Sequence, residues 1–256
     1  MKVTIDLEKS VEENAAVYYD MAKKAKKKLE GARKAVGEAK EKQEVRKKAE
    51  KLPGRSKRFW FEKYKWFYSS DGFLVIAGKD ADTNEEVVKK HTSKEDLVFH
   101  TEMAGSPFVI IKSEGEEVSS NAKEEAASYT ASNSKAWELN LSSLEVFCVS
   151  PSQVSKEAKS GEYIEKGSFM IYGKRERYEV ELGLSIGILE YQGEYIPMIG
   201  PFNSVKSNCS NQINIRQGSL TKDQAANKLM KHLRIKSNDD ILSQLPQGFF
   251  EVDMGK

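Results

Sequence analysis

The sequence predicts an α+β protein: a compact mixed sheet-and-helix body that follows a long basic coiled-coil arm. Three observations predict this class. Apolar residues near the N-terminus recur in steps of three and four, and later short apolar runs alternate with capped helices. The chain of 256 residues is also long enough to bury a substantial core. We divide it into an arm (1–54), a body (55–191) and a small α+β C-terminal extension (192–256).

The arm concentrates the positive charge of the chain. Residues 23–58 hold 16 Lys/Arg and 5 Asp/Glu, a segment charge of +11, whereas the whole chain carries +2. Charge of one sign favours binding to a polyanion, although a solvated helix kept soluble by its lysines is the alternative. Pro53-Gly54 ends the helical pattern.

The arm also has an apolar seam that predicts a coiled coil over about four heptads. It comprises Val11, Ala15, Tyr18, Ala22, Ala25, Leu29, Ala32, Val36 and Ala39. Because the seam is rich in alanine, it needs a closely packed partner helix. That partner is either a second helix of the same chain, in a hairpin, or a second copy in a dimer.

Aromatic and basic residues interleave directly after the arm, in the segment 55–68. Aromatic faces stack on bases and cations reach phosphates, so this composition suits RNA. Trp60, Tyr64 and Phe67 lie at helical spacing, which equally favours an anchor for the arm in the core.

The body and the extension are predicted as short strands and capped helices. Capping boxes at Asp82 (with Glu85), Asn121 (with Glu124) and Thr221 (with Gln224) predict three helix starts, and a further short helix is expected at 239–245. Residues 193–256 carry no chemical signal. The predicted strands are Phe73–Ala77, Leu97–Thr101, Phe108–Lys112, Leu144–Ser150, Ser168–Tyr172, Leu182–Tyr191, Tyr195–Ile199 and Gln212–Arg216.

The sequence indicates a binding protein without a cofactor. Gly183–Gly187 match the hydrolase pattern G-x-S-x-G at Ser185, but alternating apolar residues continue through it, which predicts a strand and not a nucleophile elbow. The three histidines are scattered and C-x-x-C is absent, so we expect no zinc. Two cysteines and no apolar run of about 18 residues predict a cytoplasmic protein outside the membrane.

A series of short motifs runs in order from residue 60 to residue 188. The motifs are Trp60–Phe67, Ser69–Gly72, Gly78–Ala81, Asn84-Glu85, Phe99-His100, Gly105–Pro107, Gln153–Lys156, Gly161–Tyr163, Gly167–Ile171 and Gly173–Arg175. This series closely resembles the NFACT-R domain of the NFACT family, which includes nuclear export mediator factors, ribosome quality-control factors and fibronectin-binding-protein-like proteins. The arm resembles the coiled coil that precedes that domain, and residues 192–256 resemble an archaeal-type extension.

The resemblance implies binding to the large ribosomal subunit with an obstructed nascent chain, and to tRNA or peptidyl-tRNA. Family members recruit tRNA for untemplated C-terminal tailing of that chain. The family's N-terminal, tRNA-selecting domain has no counterpart in these 256 residues. We therefore expect a fragment or a split version that does not tail alone. Lys79 stands where the family usually has Arg, which removes a planar fork for phosphate, and Thr101-Glu102 replaces the frequent Ala-Asp.

We predict that lysines and arginines of the body neutralise phosphates, while His100, Asn84 and Gln153 hydrogen-bond to sugars or base edges. For His100 the alternative is a histidine that is hydrogen-bonded at a strand end. The rival function is a protein-interaction scaffold whose coiled coil recruits a partner. The predicted RNA-binding residues are Lys57, Arg58, Lys63, Lys65, Lys79, Asp80, Asn84, Lys89, Lys90, His100, Gln153, Ser155, Lys156, Lys174, Arg175 and Arg177.

Overall fold

The chain forms two compact units, Met1–Lys51 and Leu52–Lys256. The computed structural model describes residues 6, 8, 10–19, 21–23, 26, 28, 29, 55, 57–157 and 165–253. No helix within these ranges is long and apolar enough to cross a membrane. The larger unit has the predicted α+β architecture, in which antiparallel sheets pack with helices.

The first unit contains a helix, α1, to which residues 11–19 and 21–23 belong. It begins at a capping box: the Ser10 hydroxyl accepts from the Glu13 N–H, and the Glu13 carboxylate accepts from the Ser10 N–H. The predicted helix is confirmed for these residues. Val11 and Leu29 of the seam are 81% and 55% exposed. Other residues of the predicted arm lie outside the described residues: Ala25, Ala32, Val36 and Ala39 of the seam, and Pro53-Gly54.

The second unit is built on a six-stranded antiparallel sheet of order β1-β2-β4-β3-β5-β8. Four of the strands confirm predicted apolar runs, whereas β1 and β8 were not predicted. The sequence of β8 contains no apolar run, because charged residues alternate with the others along it. Its side chains are alternately exposed and partly buried. The strands are β1 (Lys65–Tyr68), β2 (Leu74–Ala77), β3 (Leu97–His100), β4 (Val109–Ile111), β5 (Ser143–Val149) and β8 (Glu176–Glu181).

A four-stranded antiparallel sheet of order β10-β9-β11-β12 forms the other half of the unit. Its strands are β9 (Leu184–Tyr191), β10 (Glu194–Gly200), β11 (Cys209–Leu220) and β12 (Phe250–Asp253). Because β9 pairs with β10 in a hairpin, this sheet crosses the predicted boundary at 191–192. Ser185 lies within β9, fully buried, and donates to Asn214 at 2.8 Å, so the predicted strand is confirmed there. A small ladder joins β6 (Val154–Ser155) to β7 (Met170–Ile171).

Helices cover the sheets, and two of their starts differ from those predicted. Asp80, not Asp82, caps α2, because its extended backbone lets the carboxylate accept from the Thr83 N–H. Ser119, not Asn121, caps α3. The capping box of Thr221 with Gln224 is confirmed. The helices are α2 (Ala81–Lys90), α3 (Ser120–Ser132), α4 (Lys135–Glu138), α5 (Phe202–Asn208), α6 (Lys222–Leu233) and α7 (Asp239–Gln244), with short 3₁₀ helices at Trp60–Lys63 and Pro151–Gln153.

The aromatic segment forms core, but not as one helix. Trp60 begins a 3₁₀ turn and is 52% exposed, whereas Tyr64 and Phe67 are buried, the latter within β1. The spacing of Trp60, Tyr64 and Phe67 therefore does not reflect an α-helix. A 3₁₀ turn followed by a strand also places Tyr64 and Phe67 in the core. Gly200 of β10 lies against Phe67, where a Cβ would be 3.0 Å from the ring-bearing carbon. This close approach joins the two sheets.

Candidate nucleic-acid interface

A cleft of about 890 Å³ opens at one end of the six-stranded sheet, and we call it the basic cleft. β2 and β3 end there, and β1 and β4 begin there, because these neighbours are antiparallel. Residues 165–171 and the first residue of α6 complete its wall. Six cationic side chains line it against four carboxylates. The cations are Lys65, Lys79, Lys135, Lys166, Arg175 and Lys222, and the carboxylates are Asp80, Glu102, Glu138 and Glu165.

Rings support one wall of the basic cleft. The imidazole of His100 stacks on Phe108 with 4.2 Å between centroids, and Phe169 meets Phe108 edge-on at 5.1 Å. Phe108 is buried, while His100 and Phe169 are partly exposed. The guanidinium of Arg175 lies 4.5 Å from the centroid of Phe147. This wall therefore offers partly exposed rings beside a cation, an arrangement on which a nucleic-acid base can stack.

Burial favours the neutral imidazole of His100. Burial lowers its pKa below the usual range, and hydrogen bonds with the backbone of Thr101 and Ser106 oppose that shift only in part. A neutral imidazole has one donor and one acceptor nitrogen. These backbone bonds agree with the alternative interpretation of His100 as a histidine that is hydrogen-bonded at a strand end. His100 also lines the basic cleft.

Six of the sixteen predicted site residues line the basic cleft: Lys65, Lys79, Asp80, Asn84, His100 and Arg175. Lys156 lies beside it, with its ammonium 5.0 Å from the ring of Phe169. The other nine do not line it. They are Lys57, Arg58, Lys63, Lys89, Lys90, Gln153, Ser155, Lys174 and Arg177.

Two predicted hydrogen-bonding residues make hydrogen bonds within the protein. Both amide hydrogens of Gln153 donate to backbone carbonyls, of Tyr172 at 2.7 Å and of Lys174 at 2.8 Å. Its oxygen accepts from the Ser150 N–H at 3.0 Å, so no hydrogen of this amide is left for RNA. Asn84 accepts from the Phe108 N–H at 3.1 Å and packs on Gly78, where its Oδ1 would be 2.1 Å from an added Cβ.

Most predicted cations outside the cleft form ion pairs with carboxylates of the protein. Lys63 and Lys90 both pair with Glu86 of α2, and Lys89 pairs with Glu85. Arg58 pairs with Asp240 at 3.1 Å, and Arg177 pairs with Glu145. Such pairing reduces the positive charge that these side chains offer to an external anion.

Two more cations and one hydroxyl of the predicted site have structural contacts. Lys156 donates to the carbonyls of Glu165 at 2.9 Å and Ser168 at 3.0 Å, which attaches β6 to residues 165–168. The hydroxyl of Ser155 accepts from the Glu157 N–H at 3.0 Å. The ammonium of Lys57 lies 5.1 Å from the Phe59 ring, and Lys174 is exposed.

Sequence reasoning missed three cations of the cleft: Lys135, Lys166 and Lys222. No motif in residues 193–256 indicates a binding or catalytic site. Lys222, the first residue of α6, nevertheless lines the cleft. The capping box of Thr221 marked where α6 begins, but a helix start does not indicate which distant residues it faces. Within the described ranges, no group of three or more His, Cys, Asp or Glu side chains could hold a metal ion.

Part of the chain matches a described family. Residues 63–173 match the family described as "NFACT protein RNA binding domain". The chain is 38% identical over 201 residues to the archaeal Rqc2 homolog aRqcH of Methanocaldococcus jannaschii, an alignment that covers 77% of this chain and 30% of that protein. It is 41% identical to the ribosome quality control complex subunit NEMF homolog of Drosophila melanogaster, over 68% of this chain and 18% of that protein.

The human ribosome quality control complex subunit NEMF is 36% identical over 63% of this chain and 16% of its own length. The chain thus spans less than a third of the length of each of these relatives. Residues 63–173 thus form an NFACT protein RNA-binding domain. The chain belongs to the NFACT family.

Proposed function

We propose that this chain is the RNA-binding portion of a ribosome-associated quality-control factor. In this proposal it binds the large ribosomal subunit together with peptidyl-tRNA or tRNA, and it supports recruitment of tRNA for C-terminal tailing. It acts in the cytoplasm by binding and makes or breaks no covalent bond. The names of the aligned relatives support the process, and the NFACT-R match supports RNA as the ligand.

One observation carries the RNA part of the proposal: the basic cleft gathers cations and partly exposed rings from distant parts of the chain. Lys79 follows β2, Arg175 precedes β8 and Lys222 begins α6, yet all three line one cavity. His100 and Phe169 lie in the same cavity and supply ring faces. Cations reach phosphates while rings stack on bases, so this combination suits a single-stranded or splayed RNA.

The test compares two arginines that lie two residues apart. Arg175 lines the basic cleft and pairs with Glu102, whereas Arg177 lies outside the cleft and pairs with Glu145. Binding of a single-stranded RNA is measured over a range of salt concentrations for the wild type, Arg175→Gln and Arg177→Gln. Loss of one phosphate contact flattens the log–log salt slope by about 0.7.

We expect the flatter slope for Arg175→Gln and an unchanged slope for Arg177→Gln. Co-sedimentation with purified large ribosomal subunits should weaken for the same variant only. Equal slopes in all three proteins would contradict the assignment of the cleft. Absence of any RNA or ribosome binding by the wild type at low ionic strength would contradict the function itself.

A second candidate function is a scaffold whose coiled coil recruits a partner. The exposure of Val11 and Leu29 of the predicted seam favours it, because apolar side chains along a helix gain free energy from a partner helix. Sedimentation equilibrium of the wild type and of Leu29→Lys tests it. A dimer that is lost in the variant, with ribosome binding intact, supports the scaffold, and monomers throughout contradict a dimeric partner.

A further inference from the structure

Three lysines of the basic cleft come from separate elements. Lys65 is the first residue of β1 and lies opposite Ala77 at the end of β2, so Lys79 follows two residues beyond that pair. Lys222 is the first residue of α6. Lys65 is 8% exposed, and the other two are partly buried. The fold thus places three buried or partly buried cations along one cavity.

These three ammonium groups differ from most other cations of the body in their partners. Lys65 donates to neutral oxygens, to Oδ1 of Asn133 at 2.5 Å and to the carbonyl of Leu245 at 3.4 Å. Lys79 donates to the carbonyl of Glu62 at 3.3 Å. Among the described residues, none of the three forms an ion pair with a carboxylate, unlike Lys63, Lys89 and Arg58.

The hydrogen-bonding capacity of the three groups is therefore not exhausted. An ammonium group has three hydrogens to donate, and the protein uses two of those on Lys65 and one of those on Lys79. Donors left over at the wall of a cavity are available to a ligand with several acceptor oxygens. A phosphate group has such oxygens and can accept from donors that approach from different directions.

The positive charges of Lys79 and Lys222 act on Lys65. Burial lowers the pKa of Lys65 to about 7, and the positive charges of Lys222 and Lys79 lower it further. Burial likewise lowers the pKa of Lys79, against the attraction of Asp80, and that of Lys222, against the attraction of Asp223. An anion among the three would stabilise their charged forms together.

Nearby carboxylates fill that role only in part: Asp80, Asp240 and Glu62 attract Lys79 and Asp223 attracts Lys222, but among the described residues none of them forms an ion pair with these lysines. Asp80 is used to cap α2 through Thr83, and Glu102 pairs with Arg175. Lys222 stands at the N-terminal end of the twelve-residue helix α6, where the helix dipole adds partial positive charge. Geometry, free donors and charge therefore all favour an anionic ligand.

We propose that Lys65, Lys79 and Lys222 form a subsite for a single phosphate group at the wall of the basic cleft. The inference rests on the proposed RNA-binding function and deepens it, because a backbone phosphate of RNA is the ligand it assigns to the subsite. A free phosphate or nucleotide presents the same chemistry. The two sources are separated by competition.

The experiment follows binding of inorganic phosphate by backbone amide NMR shifts of the folded chain at pH 6.5 and constant ionic strength. Lys222→Gln removes one cation of the subsite. Lys228→Gln is the matched control, because Lys228 is an exposed lysine of the same helix that does not line the cleft. Lys79→Gln is the second subsite variant, and thermal unfolding checks that each variant is folded.

We expect phosphate to shift the amides of Lys79 and Lys222 and to be displaced by a single-stranded oligouridylate. Lys222→Gln and Lys79→Gln should each weaken phosphate binding by about tenfold, the loss of one charge-assisted hydrogen bond, whereas Lys228→Gln should leave it within about twofold. Absence of phosphate-induced shifts, or equal affinity in Lys222→Gln and the wild type, would overturn the subsite.

The two proposals fail in different ways. If RNA binds with a normal salt slope that Lys222→Gln does not change, the subsite is wrong and the RNA-binding function stands. If phosphate binds, depends on Lys222 and is not displaced by RNA, the subsite stands with a free phosphate as its ligand, and its assignment to RNA is overturned.

Discussion

Gln244 of α7 binds the backbone of Trp66 in β1. Its side-chain oxygen accepts from the Trp66 N–H at 3.0 Å, and its amide nitrogen donates to the carbonyl of Tyr64 at 2.9 Å. β1 is an edge strand of the six-stranded sheet, so these bonds satisfy polar groups that no neighbouring strand reaches. These bonds attach α7 of the C-terminal region to β1, whose first residue, Lys65, lines the basic cleft.

Gln244→Ala should therefore destabilise the body. The change leaves the buried N–H of Trp66 in β1 and the carbonyl of Tyr64, just before β1, without these partners, which costs about 2 kcal/mol. Urea unfolding measures the loss. Gln247→Ala is the control, because Gln247 is exposed and makes none of these bonds. An unfolding midpoint for Gln244→Ala equal to that of the control would show that α7 does not stabilise β1.

Lys65 should make stability depend on pH. Its pKa is lowered to about 7 in the folded protein, below the ordinary 10.5 of the unfolded chain. Between those values the unfolded chain binds the extra proton, so stability rises with pH across that window by about 1.4 kcal/mol per unit from this group. Below pH 7 both states hold the proton, and the full penalty for a buried charge remains.

Lys65→Met removes this dependence and keeps the apolar stem. We expect the variant to gain stability relative to the wild type at pH 6 and to lose that advantage by about 2 kcal/mol or more at pH 9. Urea unfolding at both values measures it. Lys79 and Lys222, the charged groups that face Lys65, are the same in both proteins. Parallel pH profiles would show that Lys65 titrates normally.

Gly167 should tolerate alanine far less than Gly193 does. Both have positive φ, +79° and +81°, so both variants lose about 1 kcal/mol to backbone strain. A Cβ at Gly167 would also lie 2.6 Å from Cα of Ala81 in α2, whereas nothing lies within 4 Å at Gly193. Gly167→Ala must therefore separate residues 165–171 from α2.

Thermal unfolding and RNA affinity measure the two glycine variants. We expect the larger loss of stability, and weaker RNA binding, only for Gly167→Ala, because its displaced segment is a wall of the basic cleft. Equal losses in the two variants would mean that positive φ accounts for the whole effect.

Two substitutions of Asp80 should distinguish its effect on stability, as the cap of α2, from the effect of its negative charge on RNA binding in the cleft. Thr83 donates to its carboxylate through the backbone N–H and the hydroxyl, and these bonds lower the pKa of Asp80. Asp80→Ala removes the cap and should lower stability by about 1 kcal/mol. Asp80→Asn keeps a good cap and removes one negative charge.

We expect Asp80→Asn to be nearly as stable as the wild type and to bind RNA more tightly, because Asp80 lines the basic cleft. Salt-dependent RNA binding and urea unfolding are measured on both variants. Weaker RNA binding by a stable Asp80→Asn would show that Asp80 itself accepts a hydrogen bond from RNA.

Local chemistry explains which predictions from sequence are confirmed. Short, mostly apolar runs such as 97–101 and 144–150 give the strands β3 and β5, because their apolar residues are removed from water when the strands lie inside the sheet. Thr221 with Gln224 marks the start of α6, since a capping box is a contact between residues three apart. The order of short motifs likewise predicted the NFACT family, which the comparisons confirm.

Several contacts of the predicted site residues could not be foreseen, since they join residues far apart in sequence. Lys63 and Arg177 were predicted to bind RNA, and each also pairs with a carboxylate that lies more than twenty residues away. Gln153 was predicted to bind RNA, and carbonyls 19 and 21 residues later take its amide hydrogens. No periodicity or spacing in the sequence encodes such pairs.

By itself, the sequence determined the α+β class, most strands, the helical nature of residues 11–19 and membership of the NFACT family, because these depend on local pattern and on motif order. Only the tertiary structure decided which cations share a cavity. Antiparallel pairing brings Lys65 beside the end of β2, near Lys79, and the packing of the C-terminal region adds Lys222, 157 residues after Lys65 in the numbering. Folding left Lys65, Lys79 and Lys222 without an ion-paired carboxylate among the described residues, whereas it paired Lys63, Lys89 and Arg177 with carboxylates.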